Sequence, residues 1–230
     1  MTQENPKDYW DKNIDNWGKF YLESSHSDEE FNSPSWLTKL YRRLIVPIEA
    51  RLMAKRYQLT MDFIERYVKP RMLVADVGCG TGIFTVEILK RGARVIAIDI
   101  STSSLEATRQ NIANNVPELL DSVQFLQMNV SEKPIPIVDI AIAMGVTPYV
   151  IEIESFYGNI LSRTRIFYCL VLDPKHWANR IRRAFPLLNV RKVHCFHRNR
   201  IDDILRRNNC ALVERRDFAS GYLDIAESTR

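Results

Sequence analysis

From about position 71 onward, short apolar runs alternate with stretches in which apolar residues recur every three or four positions. Short apolar runs bounded by turn formers read as strands buried on both faces, and the stretches between them read as amphipathic helices. The pattern predicts strands at Met72–Val77, Arg94–Ile98, Val123–Met128, Val138–Met144 and Arg165–Leu172. It predicts helices at Thr81–Arg91, Ser101–Asn115, Ile153–Ser162 and Asn199–Asn208, with Ser101 as an N-cap. Two more runs, Ala211–Asp217 and Gly221–Ala226, are separated only by Phe218-Ala-Ser220, too short for a crossover, so they form an antiparallel hairpin. Strands alternating with helices describe an α/β sheet with helices on both faces. Residues 1–70 lack the alternation and read as an N-terminal helical extension packed on a sheet domain of residues 71–230.

Composition adds bounds. With 230 residues and 46% apolar side chains, the chain buries a full core without disulfide or metal staples. The four cysteines, Cys79, Cys169, Cys195 and Cys210, form no C-x-x-C pair, so neither a zinc site nor a disulfide framework is expected. Reduced thiols fit a cytoplasmic location. The N-terminus is polar rather than basic-then-apolar, and the apolar run Ile135–Ile151 is broken by Asp139 and Pro148, so neither a secretory signal nor a transmembrane segment is expected.

The net charge of +4 is mild, but it is unevenly spread. Residues 1–31 carry eight acids against three lysines. The segments Trp36–Tyr57 and Pro174–Asn208 carry six and ten Lys/Arg against one and two acids. In the first, Leu37, Leu40, Leu44, Ile48 and Leu52 recur at helical spacing, with Pro47 opening a second helix. Such a stripe either packs on the core with its charges in water or lies on an anionic membrane surface as a peripheral contact. The two basic segments also fit a groove for phosphorylated, lipid-linked or nucleic-acid ligands.

The informative stretch is Asp76-Val-Gly-Cys-Gly-Thr-Gly82. Gly78, Gly80 and Gly82 fall between a buried strand and a helix, where the backbone can approach a ligand closely and a helix start offers free N–H groups. The dinucleotide fingerprint needs its last glycine at 83, where Ile83 stands. Asp76 puts a carboxylate at the mouth of the turn, which repels a pyrophosphate and suits an amine-bearing ligand. Asp99 ends the second strand 21 residues after Gly78, at the spacing of an acid that bonds a ribose diol.

These residues resemble the class I S-adenosylmethionine-dependent methyltransferase family, in its small-molecule branch, over about residues 70 to 226. The resemblance implies a Rossmann-like seven-stranded sheet of order 3-2-1-4-5-7-6 with the last strand antiparallel, and S-adenosyl-L-methionine as cofactor. It implies that Gly78, Cys79, Gly80 and Gly82 pass under the methionine moiety, that Asp76 faces its amino-acid end, and that Asp99 takes the ribose hydroxyls with Ile100 near the adenine. Asn129, in Met128-Asn129-Val130, stands where relatives place an acid for the adenine amino group, and Met144 and Gly145 line the cleft. Trp17-x-x-x-Tyr21 resembles the entry segment of small-molecule methyltransferases, where it acts as a lid. The alternative is that these aromatics only anchor the extension.

A hydroxyl acceptor needs a base, and histidine is the first type to consider. His176 follows the fifth strand at the carboxyl end of the sheet, where open α/β sheets place their crevice. It is the first candidate. His194 and His197 lie between the fifth and sixth strands as substrate-contacting candidates, and Tyr149, after the fourth strand, and Asp173 are reserves. Gly145-Val-Thr-Pro-Tyr149 is not the tetrad of amino-methylating enzymes, and no cysteine has a Pro-Cys context, which disfavours methylation of nucleobases. The expected activity is methyl transfer to a small molecule or saccharide at oxygen. An RNA acceptor bound by the basic segments, and a catalytically silent cofactor-binding protein, are the alternatives.

Overall fold

The computed structural model describes residues 46–184 and 193–229. Seven strands form one sheet: β1 (Leu73–Val77), β2 (Arg94–Asp99), β3 (Val123–Gln127), β4 (Val138–Ala143), β5 (Thr164–Leu172), β6 (Cys210–Phe218) and β7 (Gly221–Ser228). Their order is β3-β2-β1-β4-β5-β7-β6. The first five run parallel, and β7 is antiparallel to both of its neighbours. The expected order and the antiparallel final strand are therefore observed.

Among the described residues, six α-helices accompany the sheet: α1 (Val46–Tyr67), α2 (Ile83–Lys90), α3 (Thr102–Asn115), α4 (Ile153–Leu161), α5 (Trp177–Ala184) and α6 (Arg198–Arg207). Alternate residues of the buried strands divide the core in two. Val74, Val95, Ile140 and Tyr168 face α1, α2 and α3, where they meet Phe63, Ile88 and Ile112. Ala75, Ile96, Ala141 and Phe167 face α4 and α6, where they meet Phe156, Ile160 and Ile204. Helices cover both faces, as the alternation predicts.

The ends of elements correct the sequence reading in places. The first helix after β1 begins at Ile83 rather than Thr81, because Gly82 precedes it in the left-handed region. Ser101 caps α3 as expected, accepting from the Ser104 amide at 3.1 Å. Leu52 is exposed, and the buried stripe of α1 is Leu59, Phe63 and Ile64, with the Phe63 ring stacked on Tyr168 at 4.2 Å. Pro47 lies in the first turn of α1, where its missing N–H costs nothing. α5 is an element that the pattern does not predict. Trp17 and Tyr21, the expected lid residues, lie outside the described residues.

Candidate functional site

The turn after β1 is held over the end of β2. Gly78, Gly80 and Gly82 have φ of 71°, 56° and 75°, values that only glycine takes without strain. The Gly78 and Cys79 amides both donate to the Ile98 carbonyl, at 2.7 and 3.1 Å. The Gly80 amide donates to Asp99 Oδ2 at 3.1 Å, and the Ser101 amide donates to Asp99 Oδ1 at 2.9 Å. Asp99 thus ties the glycine turn to the loop that opens α3. From the other side, the Thr108 hydroxyl donates to the Gly80 carbonyl at 2.9 Å and Asn111 Nδ2 donates to the Thr81 carbonyl at 2.8 Å. This approach of α3 depends on Gly82, where a β-carbon would stand 2.7 Å from Thr108 Cγ2.

Asp76, in β1, is buried and accepts a hydrogen bond from the Thr85 hydroxyl at 2.6 Å. Burial raises its carboxyl to a pKa of about 6 against the opposing pull of that bond, with Asp99 adding a smaller upward push. A buried carboxylate of this kind gains most from a cation brought to it. The Cys79 thiol is also buried and is pushed well up by desolvation, so it stays protonated.

The loop after β4 adjoins the same turn. A β-carbon on Gly78 would stand 2.1 Å from Val146 Cγ2, so the two loops are in van der Waals contact. Gly145 has φ of 93°, and the Thr147 hydroxyl anchors the loop by donating to the Leu170 carbonyl. Onto this loop comes Arg56 of α1, whose Nη1 stands 3.1 Å from the position of a Gly145 β-carbon. Burial lowers the Arg56 guanidinium to about 10, opposed by the phenols of Tyr149 and Tyr168.

The expected catalytic and substrate residues fall into two groups. The His194 amide donates to the Pro148 carbonyl at 2.7 Å, which sets His194 beside the turn Thr147–Tyr149 at the β4 end. Its ring stacks on Phe196 at 6.5 Å. His176 and His197 are instead near Asp173 at the β5 end. The His176 amide donates to the Asp173 carbonyl, and its Nδ1 accepts from the Ala178 amide at 3.3 Å, so the imidazole serves the first turn of α5. His197 is exposed at the start of α6. Asp173 accepts from the Lys175 amide at 2.8 Å and from Arg198 Nε at 2.9 Å. Burial alone would raise its pKa, but these donors outweigh burial and hold it below the usual range. That makes Asp173 an anchor for the loop rather than a base.

The remaining expected residues line the β2, β3 and β4 ends. Ile100 is half-buried, and its carbonyl accepts from Gln127 Nε2 at 3.2 Å. Asn129 makes a local turn: Oδ1 accepts from the Ser131 amide at 3.1 Å and Nδ2 donates to Glu132 at 2.9 Å. The side chains of Val130 and Met144 are buried in the two core clusters, so each can offer the cleft little beyond its backbone.

Residues 74–164 match the family model described as a methyltransferase domain. Over these residues the chain resembles a methyltransferase domain. Among curated proteins, the ribosomal protein L11 methyltransferase of Caldicellulosiruptor saccharolyticus is 32% identical over 110 residues, covering 47% of this chain and 35% of that protein. The chain spans half of the corresponding Clostridium botulinum protein, at 23% identity over 160 residues. Two solved structures share the fold over nearly the whole chain. One is the magnesium protoporphyrin IX methyltransferase of Synechocystis with bound S-adenosylhomocysteine (TM-score 0.72, 16% identity, covering 97% of this chain and 98% of that one). The other is the geranyl diphosphate C-methyltransferase of Streptomyces coelicolor (TM-score 0.65, 14% identity, covering 99% and 100%).

Several residues that shape the domain around its glycine turn carry no sequence signal of their own. Thr85, Thr108 and Asn111 point inward from α2 and α3, and only their helical register relative to the turn would have singled them out. Arg56 is separated from Gly145 by most of the domain and reads in sequence as one more surface cation.

Proposed function

We propose that the protein is an S-adenosylmethionine-dependent methyltransferase acting on a small-molecule acceptor at oxygen. The observation that carries this reading is the pairing of the open glycine turn with two acids. Three glycines in the left-handed region leave no side chain over the turn. Asp99 stands at the neighbouring strand end, and Asp76 lies buried in the strand that leads into the turn, its carboxyl pushed up by desolvation. This set fits a ligand with a ribose at one end and an ammonium at the other. Asp99 would hold the ribose hydroxyls, the glycine backbone the region of the sulfur, and Asp76 the ammonium, with Ile100 beside the adenine.

Bound S-adenosylmethionine supplies an electrophilic methyl group on a sulfonium centre. The protein's part is to align an acceptor oxygen with it and to take the oxygen's proton. His194 is the base we assign, because its backbone is pinned to the loop that touches Gly78, and Tyr149 on that loop is the second candidate. His176, with Nδ1 turned into α5, is a poorer fit. The small-molecule acceptor is supported by two structural neighbours that match nearly the whole chain, both named for small-molecule substrates. A protein acceptor is the second reading, favoured by the names of the sequence relatives.

Calorimetric titration with S-adenosylhomocysteine tests the cofactor. No binding to the wild type, or unchanged binding by Asp99→Ala, would sink the assignment. Transfer of labelled methyl into a cell extract, split by size into small molecules and protein, then separates the two acceptor classes. An Ala variant of His194 that keeps full turnover on the labelled acceptor removes it as the base.

A further inference from the structure

α5 presents its faces in the reverse of the usual order. A surface helix ordinarily turns its apolar side chains to the core and its polar ones to water. In α5 the buried side chain is Asn179, whose Nδ2 donates to the Asp173 carbonyl at 2.8 Å and to the Ser220 carbonyl at 2.7 Å. The two large apolar side chains, Trp177 and Ile181, stand one turn apart and are 68% and 42% exposed. The His176 ring lies 5.7 Å from the Trp177 ring and orients it without covering it. A polar anchor thus fixes the helix, and its apolar face is held outward.

Single exposed apolar residues are ordinary, whereas an apolar pair on one helix face with cations beside it points to a partner. Arg180 lies next to Ile181 and Lys175 precedes the helix; both are exposed, and neither side chain pairs with an acid among the described residues. Between Asp173 and Asp202 the chain carries eight Lys/Arg and no acid. This combination matches the boundary of an anionic bilayer, where apolar groups sink below the headgroups and cations meet the phosphates. Trp suits that depth, with an apolar body and a polar N–H. RNA would engage the cations but would give Ile181 nothing to bury against. A second copy of this chain would set the same cations against one another.

We infer that α5 docks the protein on anionic lipid surfaces, with Trp177 and Ile181 inserted and Lys175 and Arg180 on the headgroups. α5 leaves the sheet at the carboxyl end of β5, which runs parallel to β4 and β1, so it lies at the end where the glycine turn opens. Docking brings that end to the bilayer, and an acceptor dissolved in the lipid can reach it without crossing water. This last consequence rests on the methyltransferase reading above, and the docking itself does not.

Co-sedimentation of the full chain with vesicles of phosphatidylcholine, with and without an equal part of phosphatidylglycerol, tests the docking. Binding is expected only with phosphatidylglycerol and should weaken as salt screens the cations. Trp177→Ser combined with Ile181→Ser should weaken it by about tenfold or more, the scale of one buried apolar side chain. Lys175→Gln combined with Arg180→Gln should weaken it by about 25-fold, or about fivefold per cation. All four side chains are exposed, so both variants should melt with the wild type. A wild type that ignores the phosphatidylglycerol vesicles overturns the inference, and so does binding that both variants retain, which would move it to another segment. Binding lost with the cations but kept without the apolar pair also overturns it, marking a polyanion site open to RNA. A wild-type dimer that the apolar variant abolishes, with no vesicle binding, assigns the face to a second copy instead. Calorimetry with S-adenosylhomocysteine should give equal affinity in all three proteins. Vesicle binding without affinity for that ligand keeps the docking and removes the cofactor reading alone.

Discussion

The Thr85 hydroxyl donates to Asp76 Oδ2 at 2.6 Å, with both side chains buried. The bond favours the ionised carboxylate, yet burial outweighs it and the pKa rises from 3.8 to about 6. The folded protein therefore binds this proton more tightly than the unfolded chain. The Asp76 contribution to stability falls as pH rises from about 4 to about 6 and is level above that. At pH 8 the cost is at most about 3 kcal/mol. Asp76→Asn, whose amide oxygen can still accept from Thr85, should stabilise the unliganded protein at pH 8 by up to that amount and have little effect at pH 4. Urea denaturation at the two pH values checks this.

The same carboxyl should make cofactor binding pH-dependent. An ammonium beside Asp76 favours its ionised form, so binding near pH 6 releases a proton. Affinity for S-adenosylhomocysteine should fall by up to about tenfold per pH unit below about 6. In Asp76→Asn the affinity should be lower throughout and flat over that range. Calorimetry in buffers of different ionisation enthalpy would detect the released proton.

Gly78→Ala sets a β-carbon against Val146 Cγ2 and forces alanine into φ of 71°. A loss of about 1–3 kcal/mol is expected from the backbone alone, with the clash added to it. Val146→Ala removes the opposing methyl groups, so the double variant should recover the steric part and keep the backbone part. Thermal melts of the two single variants and the double complete the cycle.

Arg215 reaches between β6, β7 and α6. It donates to both oxygens of buried Asp224 at 2.7 Å and pairs with Asp202 at 2.8 Å. Arg215→Met strands the Asp224 carboxylate and should cost about 3–5 kcal/mol. Adding Asp224→Leu should return most of that stability. Binding of S-adenosylhomocysteine by the folded protein should not change, because the network faces α6, away from the face that carries Asp76.

Much of this fold is legible in the chain because β1, β2, β4 and β5 are mostly buried on both faces and leave short, largely apolar runs. The glycine turn is legible for a related reason: three left-handed positions in five residues require the residue type that marks them. Arg56 was not legible. Its approach to Gly145 depends on which way α1 turns its side chains and on the bare backbone of that glycine, and neither is a local property. α5 escapes the pattern because Trp177 and Ile181 are its only large apolar residues, and both are exposed. In sequence His176 stands ahead of His194 as the candidate base, because it directly follows the fifth strand. A backbone bond to Pro148 and a side-chain bond from the Ala178 amide distinguish them.

β7 follows β6 in the chain yet lies between β6 and β5. β6 can reach the sheet only through β7, so the hairpin joins as a pair. Until it does, β5 presents an open edge whose segment Ile166–Val171 is wholly buried in the finished protein. Such an edge pairs readily with any other strand. The rate at which the hairpin closes thus sets how long each newly folding molecule is open to association with another, and substitutions that slow hairpin closure should lower soluble yield even where the finished structure tolerates them.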